Sequence, residues 1–361
     1  MRASDFADWK PQVHVFVPYT IRQGRLESPE YDTPSYRAEV KSWFERLNLE
    51  WKWVPISRIT LDRAIEDARN SPGHGAVVLN LCDGDEVHGY PGLSVVRKLE
   101  DARLRFTGAS VNFYEVTTSK LRMKERLVKA GVPTPLFAAI EDRPEDVARL
   151  KEEVGFPAIV KPDVSAASAG ISLRSVVHDP ESASARVRRL IQEEESEWDF
   201  APKAFAERFV DGPEFTVFLV AERSRPEQVR AFPAVERVFH TALPAHERFL
   251  SRERYWNELK EESSLPAGEP FVRHTLAASR LQERLAKIAL RAYHAVGGTG
   301  YARVDIRMDK RTGELYVLEV NSNCELTGDE ETSIGAILRL SGSSMVEVVS
   351  MILRDAFDRW R

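Results

Sequence analysis

Apolar residues recur along this chain with two periods, and the period switches from segment to segment. In the first hundred residues, short apolar runs alternate with stretches of helical spacing. Val13–Pro18, Trp51–Ile56 and Gly75–Leu81 read as strands, the last one apolar on both faces and therefore buried. Ser35–Leu47 carries Val40, Trp43, Phe44 and Leu47 as one helical stripe, and Leu61–Arg69 and Gly92–Glu100 follow the same rule. Between the first strand and the first helix, Ile21 to Pro34 reads as polar loop. Strands alternating with helices predict an open α/β sheet, whose ligands sit beyond the carboxyl ends of the strands. The loop Cys82–Gly92 lies at such an end, and Asp83 is its candidate substrate contact.

Further along, Thr117–Ala130 has helical spacing and stops at Gly131, with Pro133 and Pro135 just beyond. Phe156–Pro162 reads as a strand that ends on Lys161. A loop of small residues, Asp163–Gly170, leads from it into an expected second strand, Ile171–Val176. Small residues let backbone N–H groups approach a phosphate, and a lysine at the mouth adds a flexible point charge. Lys203–Val210 and Glu214–Val220 read as two strands about the turn Asp211-Gly212-Pro213. Their apolar connector, flanked by Glu207 and Glu214, suits a flat base and a ribose diol. The run Arg186–Arg189 reads as a solvated helix face. His274–Val296 and Ser343–Trp360 read as amphipathic helices, the latter with Met345, Val348, Val349, Ile352, Leu353 and Phe357 as its stripe.

The densest chemistry lies between Gly297 and Thr327. Tyr301–Met308 and Glu314–Val320 read as strands joined by a turn at Asp309–Gly313. Period-two alternation puts Arg303, Asp305 and Arg307 on one face, opposite Val304 and Ile306. Pairing across the turn brings Asp305 toward Glu319 and Asn321, with Arg303 beside them. Two carboxylates and an amide oxygen next to a cation make a site for a hard divalent ion such as Mg²⁺, or Mn²⁺ in its place. Gly297–Gly300 resembles a dinucleotide loop but precedes a strand, which removes that reading. Cys324 has no histidine near it in sequence and reads as a small core or pocket residue.

Composition narrows the class. Of 361 residues, 43% are hydrophobic and 30% charged, as in folded globular proteins, and the length allows two or three modules. A formal charge of −5 gives no electrostatic reason to expect nucleic acid or an anionic membrane as partner. No apolar run approaches membrane-spanning length, the start lacks the apolar core of a signal peptide, and two distant cysteines show no metal-binding spacing. A cytoplasmic protein is expected.

Taken in order, the motifs Ser119–Pro135, Gly155–Pro162 (GFPAIVKP), Ala206–Val220, Ala302–Asp309 (ARVDIRMD) and Leu318–Asn323 (LEVNSN) resemble those of ATP-grasp enzymes. Within that superfamily the chain is similar to D-alanine–D-alanine ligases, from about Ala76 to Leu353. The resemblance implies a three-module α/β fold: an N-terminal open-sheet module over 1–108, a central ATP-grasp module over 109–209, and a C-terminal one over 210–361. It implies that Lys120 and Lys161 bind ATP phosphates, with Ser168 and the loop backbone helping. Glu207 and Val210 would frame the adenine, and Glu214 would bind ribose. Asp305, Glu319 and Asn321 would hold Mg²⁺, with Arg303 and Lys161 as catalytic cations. The segment 240–273 falls where the family places a lid.

Departures from the family pattern concern the substrates. Ser165, Ala166, Ala167 and Ser168 replace a loop richer in hydroxyls. Asp83 stands where a histidine is usual, and Glu325 falls near the place of a glycine that seats the acceptor. Glu325 is a poor neighbour for a D-alanine carboxylate, so a different small carboxylate and amine are expected, an amino acid or short peptide among them. The expected activity is a carboxylate–amine ligation through an acyl phosphate. A phosphotransferase acting on a hydroxyl and a nucleotide-binding regulator without turnover stay open beside it, as does a homodimer.

Overall fold

The computed structural model describes residues 11–71, 76–87, 89–165, 168–195, 203–222, 228–255, 265–266 and 268–359. Ala166 and Ala167 of the small-residue loop, and 256–264 and 267 of the expected lid, lie outside the described residues.

The first sheet is parallel, in the order β4-β1-β5-β6, from β1 (Gln12–Pro18), β4 (Trp51–Ile56), β5 (Ala76–Asn80) and β6 (Arg105–Phe106). Helices α1 (Pro34–Leu47), α2 (Leu61–Arg69) and α3 (Leu93–Asp101) cover it. β1 and β5 are buried almost throughout, which is why they read as continuous apolar runs. The expected polar loop before α1 holds a small hairpin instead, β2 (Thr20–Arg22) with β3 (Arg25–Glu27). Its central turn, Gln23-Gly24, takes positive φ at both residues, a conformation that no hydrophobic pattern announces.

One expected helix is two. Ser119 ends α4 (Val111–Thr118) and caps α5 (Lys120–Lys129), its hydroxyl accepting from the Arg122 N–H at 3.2 Å. The second sheet is antiparallel, β7-β10-β8-β9, from β7 (Phe137–Ile140), β8 (Ala158–Pro162), β9 (Val176–Val177) and β10 (Ala204–Arg208). The expected strand Ile171–Val176 is mostly absent. Ser168 and Gly170 take positive φ, a 3₁₀ turn occupies Leu173–Ser175, and only Val176 and Val177 pair. Helices α6 (Pro144–Glu153) and α7 (Pro180–Glu195) back this sheet. Arg186 on α7 is buried and donates to the Gly170 carbonyl, so that part of the basic run is not solvated.

The third sheet runs β14-β13-β11-β15-β16, with β12 (Val229–Ala231) also on β11. Its strands are β11 (Glu214–Ala221), β13 (Val235–Phe239), β14 (Val272–Leu276), β15 (Tyr301–Met308) and β16 (Leu315–Ser322). The expected helix from His274 starts later, because β14 takes up His274–Leu276 before α9 (Ser279–Ala295). A short helix α8 (Arg252–Tyr255) lies in the 240–273 segment, and α10 (Ser333–Ser341) and α11 (Met345–Arg359) close the chain.

Core packing divides unevenly. Two large apolar clusters each draw on both the first and the third sheets: Phe16, Val78 and Phe106 share one with Val217, Val304 and Leu285. Val15, Leu79 and Trp43 share the other with Phe218, Tyr301 and Ile352. The second sheet has a core to itself, including Leu150, Val160, Val187 and Ala206. Among the described residues no single helix is long and apolar enough to cross a membrane.

Candidate active site

A cleft of about 1150 Å³ opens between the second and third sheets and the carboxyl ends of the first. The hairpin β15–β16 forms its floor. Register pairs Asp305 with Glu319 and Arg303 with Asn321, so the four expected residues do converge. A β-bulge between Asp305 and Ile306 makes Leu318 the unpaired residue, and both Leu318 and Glu319 line the cleft. Asn321 Nδ2 donates to Asp305 Oδ2 at 3.2 Å, and Arg303 Nε and Nη2 reach the same oxygen at 3.2 Å. Asp305 Oδ1 lies 3.1 Å from Arg237 Nη2 but accepts no hydrogen bond. Burial works against the Asp305 carboxylate, yet Arg237 and Arg303 hold its pKa below the ordinary value. Asp305 in turn raises the pKa of Arg303 against the effect of burial.

At the other end of the cleft, Lys161 at the close of β8 pairs with Glu207 of β10, Nζ to Oε1 2.6 Å. Glu207 also takes Lys124 of α5, Nζ to Oε2 2.6 Å, where Lys124 donates to Thr134 Oγ1 as well. Burial alone would raise the Glu207 pKa; the two lysines bring it down to about 2. Burial lowers the pKa of Lys124. Lys120, the first residue of α5, donates to the Ser165 carbonyl at 2.8 Å and lies 3.5 Å from Glu319. Asp163 fastens the small-residue loop to the start of α5, its carboxylate taking the Ser119 hydroxyl and the Leu121 N–H. Ser168 lines the cleft in a left-handed conformation, φ 58°.

Between these ends sits an apolar slot. Phe209 and Phe249 meet edge to face, ring centroids 6.4 Å apart, with Ile159 and Val176 in the same cluster. Val210 borders it, and its carbonyl accepts from Arg307 Nη1 at 3.0 Å. Phe249, Pro270 and Phe271 bring both ends of the 240–273 segment to the cleft wall. Glu214 is buried between two guanidiniums, 2.7 Å from Arg237 Nη1 and 2.9 Å from Arg307 Nε.

The third region is acidic. Asp83 and Glu325 line the cleft from opposite elements, with Glu30 nearby. Tyr31 donates to Asp83 Oδ2 at 2.6 Å. Burial raises the Asp83 pKa to about 7; the Tyr31 hydroxyl opposes this and Glu325 and Glu30 add to it. Burial also raises Glu325 and pushes the neighbouring Cys324 thiol up to about 12, where it is no nucleophile. A carboxyl group with a raised folded pKa binds more protons folded than unfolded, so stability falls as pH rises from about 4 to about 7. Asp83→Asn should therefore match wild type near pH 4 and exceed it by on the order of 2 kcal/mol at pH 8, checked by urea midpoints across that range.

Lys124, Arg237, Tyr31, Glu30 and Asn323 carry no reading of their own in the sequence. Arg237 has the parity of Val235 and Phe239, both buried, so an arginine at an inward strand position was a usable sign of a buried ion pair. Asn323 takes φ 47° and accepts from the Ala109 N–H at 2.7 Å, fixing the end of β16 to the entry of α4. A β-carbon on Gly108 would lie 2.1 Å from that Asn323 oxygen, which is why glycine is needed there.

A family model described as D-ala D-ala ligase C-terminus matches residues 127–353. Among curated proteins, an uncharacterised protein y4sG of Sinorhizobium fredii is 28% identical over 286 residues, 79% of this chain and 75% of that one. A D-alanine–D-alanine ligase of Desulforudis audaxviator is 28% identical over 262 residues, 72% of this chain and 76% of that enzyme. D-alanine–D-alanine ligase from Bacillus anthracis complexed with ATP has the same fold, with TM-score 0.65 at 18% identity over 96% of this chain and 97% of that one.

Proposed function

The chain belongs to the D-ala D-ala ligase C-terminus family, and from that premise we propose that it joins a carboxylate to a cationic amine through an acyl phosphate, making a product other than D-alanyl-D-alanine. It is an ATP-dependent ligase that forms carbon–nitrogen bonds. The finer reading is carried by one observation: Asp83, Glu325 and Glu30 line the cleft close enough together to raise the Asp83 pKa, a cluster of acids suited to a cationic group.

In this reading ATP lies with its base in the Phe209–Phe249 slot beside Val210 and Glu207. Its ribose lies toward Glu214, and its phosphates toward Lys120, Lys161, Ser168 and the loop backbone. Asp305, Glu319 and Asn321 would hold Mg²⁺. Their donor set fits a hard cation: two carboxylates and an amide oxygen that line the cleft together. The ion would screen phosphate charge when bound. Lys161, released from Glu207 by an incoming phosphate, neutralises the γ-phosphoryl group. The substrate carboxylate attacks that phosphorus, ADP leaves, and an acyl phosphate results. The bound ammonium gives one proton to solvent, the neutral amine attacks the acyl carbon, Arg303 steadies the oxyanion, and phosphate departs as the nitrogen loses its second proton to solvent and the amide forms. Closure of the 240–273 segment would keep water from the acyl phosphate. Two free, buried cysteines accord with a reducing cytoplasmic setting.

Incubation with ATP, Mg²⁺ and pooled amino acids and small diamines, with and without hydroxylamine, tests this. ADP, phosphate and a hydroxamate are expected. AMP with pyrophosphate would remove the acyl phosphate, and efficient conversion of D-alanine alone to its dipeptide would remove the substrate reading.

A further inference from the structure

Arg237 is absent from every role assigned above, yet its guanidinium touches three parts of the site. Nη1 bonds Glu214 Oε1 at 2.7 Å, and Nη2 lies 2.8 Å from Ser333 Oγ and 3.1 Å from Asp305 Oδ1. Register explains the reach: Arg237 stands opposite Glu214 on β11, and Asp305 is two positions along on the next strand, β15. Ser333 is the first residue of α10, so it marks the end of the loop that carries Cys324, Glu325 and Thr327 past the acceptor end. The arginine is 4% exposed and its Nε has no partner. A buried cation of this kind is retained at a desolvation cost, and a hydrophobic residue of similar size would serve packing alone as well.

Resting on the nucleotide and metal reading above, we propose that Arg237 is a positioning residue that fixes Asp305 for the divalent ion and links the nucleotide carboxylate Glu214 to the acceptor loop through Ser333. The planar fork matters because Nη1 and Nη2 are held apart, one meeting Glu214 and the other facing Ser333 and Asp305, whereas an ammonium concentrates its donors at one point. Both ends of the cleft then respond together: ordering at the nucleotide is transmitted to the acceptor loop.

The test uses ADP as probe, titrated calorimetrically with and without Mg²⁺, on wild type, Arg237→Lys and Ser333→Ala, with Glu-specific protease sensitivity of residues 323–332, which hold Glu325, Glu330 and Glu331, as a second readout. Wild type should gain affinity on adding Mg²⁺ and protect the loop. Arg237→Lys should lose about tenfold of that Mg²⁺-dependent gain, as expected for a charge-assisted contact, while metal-free ADP binding changes less than about threefold; loop protection should also go. Ser333→Ala should keep the Mg²⁺ gain and lose only the protection, which holds the test open should Arg237→Lys not fold. An unchanged Mg²⁺ gain in Arg237→Lys, an equal loss with and without the ion, or wild-type protection in Ser333→Ala would each overturn the role of Arg237. Wild type with no Mg²⁺-dependent gain would instead overturn the metal reading beneath it.

Discussion

Asp305→Asn should lower kcat by at least about a hundredfold, the scale on which removal of one transition-state electrostatic group is felt. The substitution keeps shape and removes one negative charge from the point where Arg237, Arg303 and Asn321 meet. Folding should survive, because Arg237 keeps Glu214 and Ser333 as partners. On the proposed metal reading, raising Mg²⁺ should recover only the part of the loss that comes from weaker ion binding. Steady-state phosphate release at several Mg²⁺ concentrations, with circular dichroism as the control, decides it. Full activity in Asp305→Asn would withdraw Asp305 from the catalytic site and the hairpin with it.

Stability offers the second large effect. Lys124 and Glu207 are both nearly inaccessible, their side chains 1% and 2% exposed. Lys124→Met should destabilise the protein by about 3 kcal/mol, because removing one member of a buried pair leaves the other short of compensation. Lys161 still reaches Glu207, which keeps the loss near the lower end of that range. The double variant Lys124→Met, Glu207→Gln should recover much of it, and urea midpoints of the four proteins would close the cycle. A pH series adds a sign. The Glu207 pKa is depressed to about 2, so the pair contributes fully above the ordinary carboxylate range and is lost as pH falls toward 2. Glu207→Gln should accordingly trail wild type above about pH 5 and converge with it in acid. Additive single-variant losses in the cycle would show the ion pair to be energetically idle.

Much of this architecture could be read in residue order because its cues are local. The β15–β16 hairpin announces itself by alternation on both sides of a glycine turn, and α1 and α11 by their stripes. The loop before α1 and the segment after Gly170 depart from their pattern for one reason: positive φ at Gln23, Gly24, Ser168 and Gly170 redirects the backbone without changing any hydrophobic pattern. The split at Ser119 was visible in principle, since Thr-Thr-Ser before a helix is capping chemistry. Partnership was the hardest layer. Glu207 and Glu214 were each read as open carboxylates for a ligand, and both are bound to two cations supplied from distant strands and helices. Lys124 shows why: it lies one turn from Lys120 on α5, and helical spacing alone does not say which lysine faces water. Periodicity marks Arg237 as facing inward, but it names no partner for it.

Three sheets with only one private core make an unequal machine. The floor with Asp305, Arg303 and Glu325 is welded to the first sheet by common packing, whereas Lys161 and Glu207 ride on the second sheet, which packs on its own. Such a layout has the form of an anvil and a jaw, one sheet with its own main core set against a base built from the other two. Across that seam the chain sets the Lys124–Glu207 ion pair beside the small Phe209–Phe249 cluster. An ion pair tolerates a small slide that close-packed methyl groups resist. On the proposed reading, the jaw would close on a nucleotide by sliding this pair, over a base that receives the acceptor.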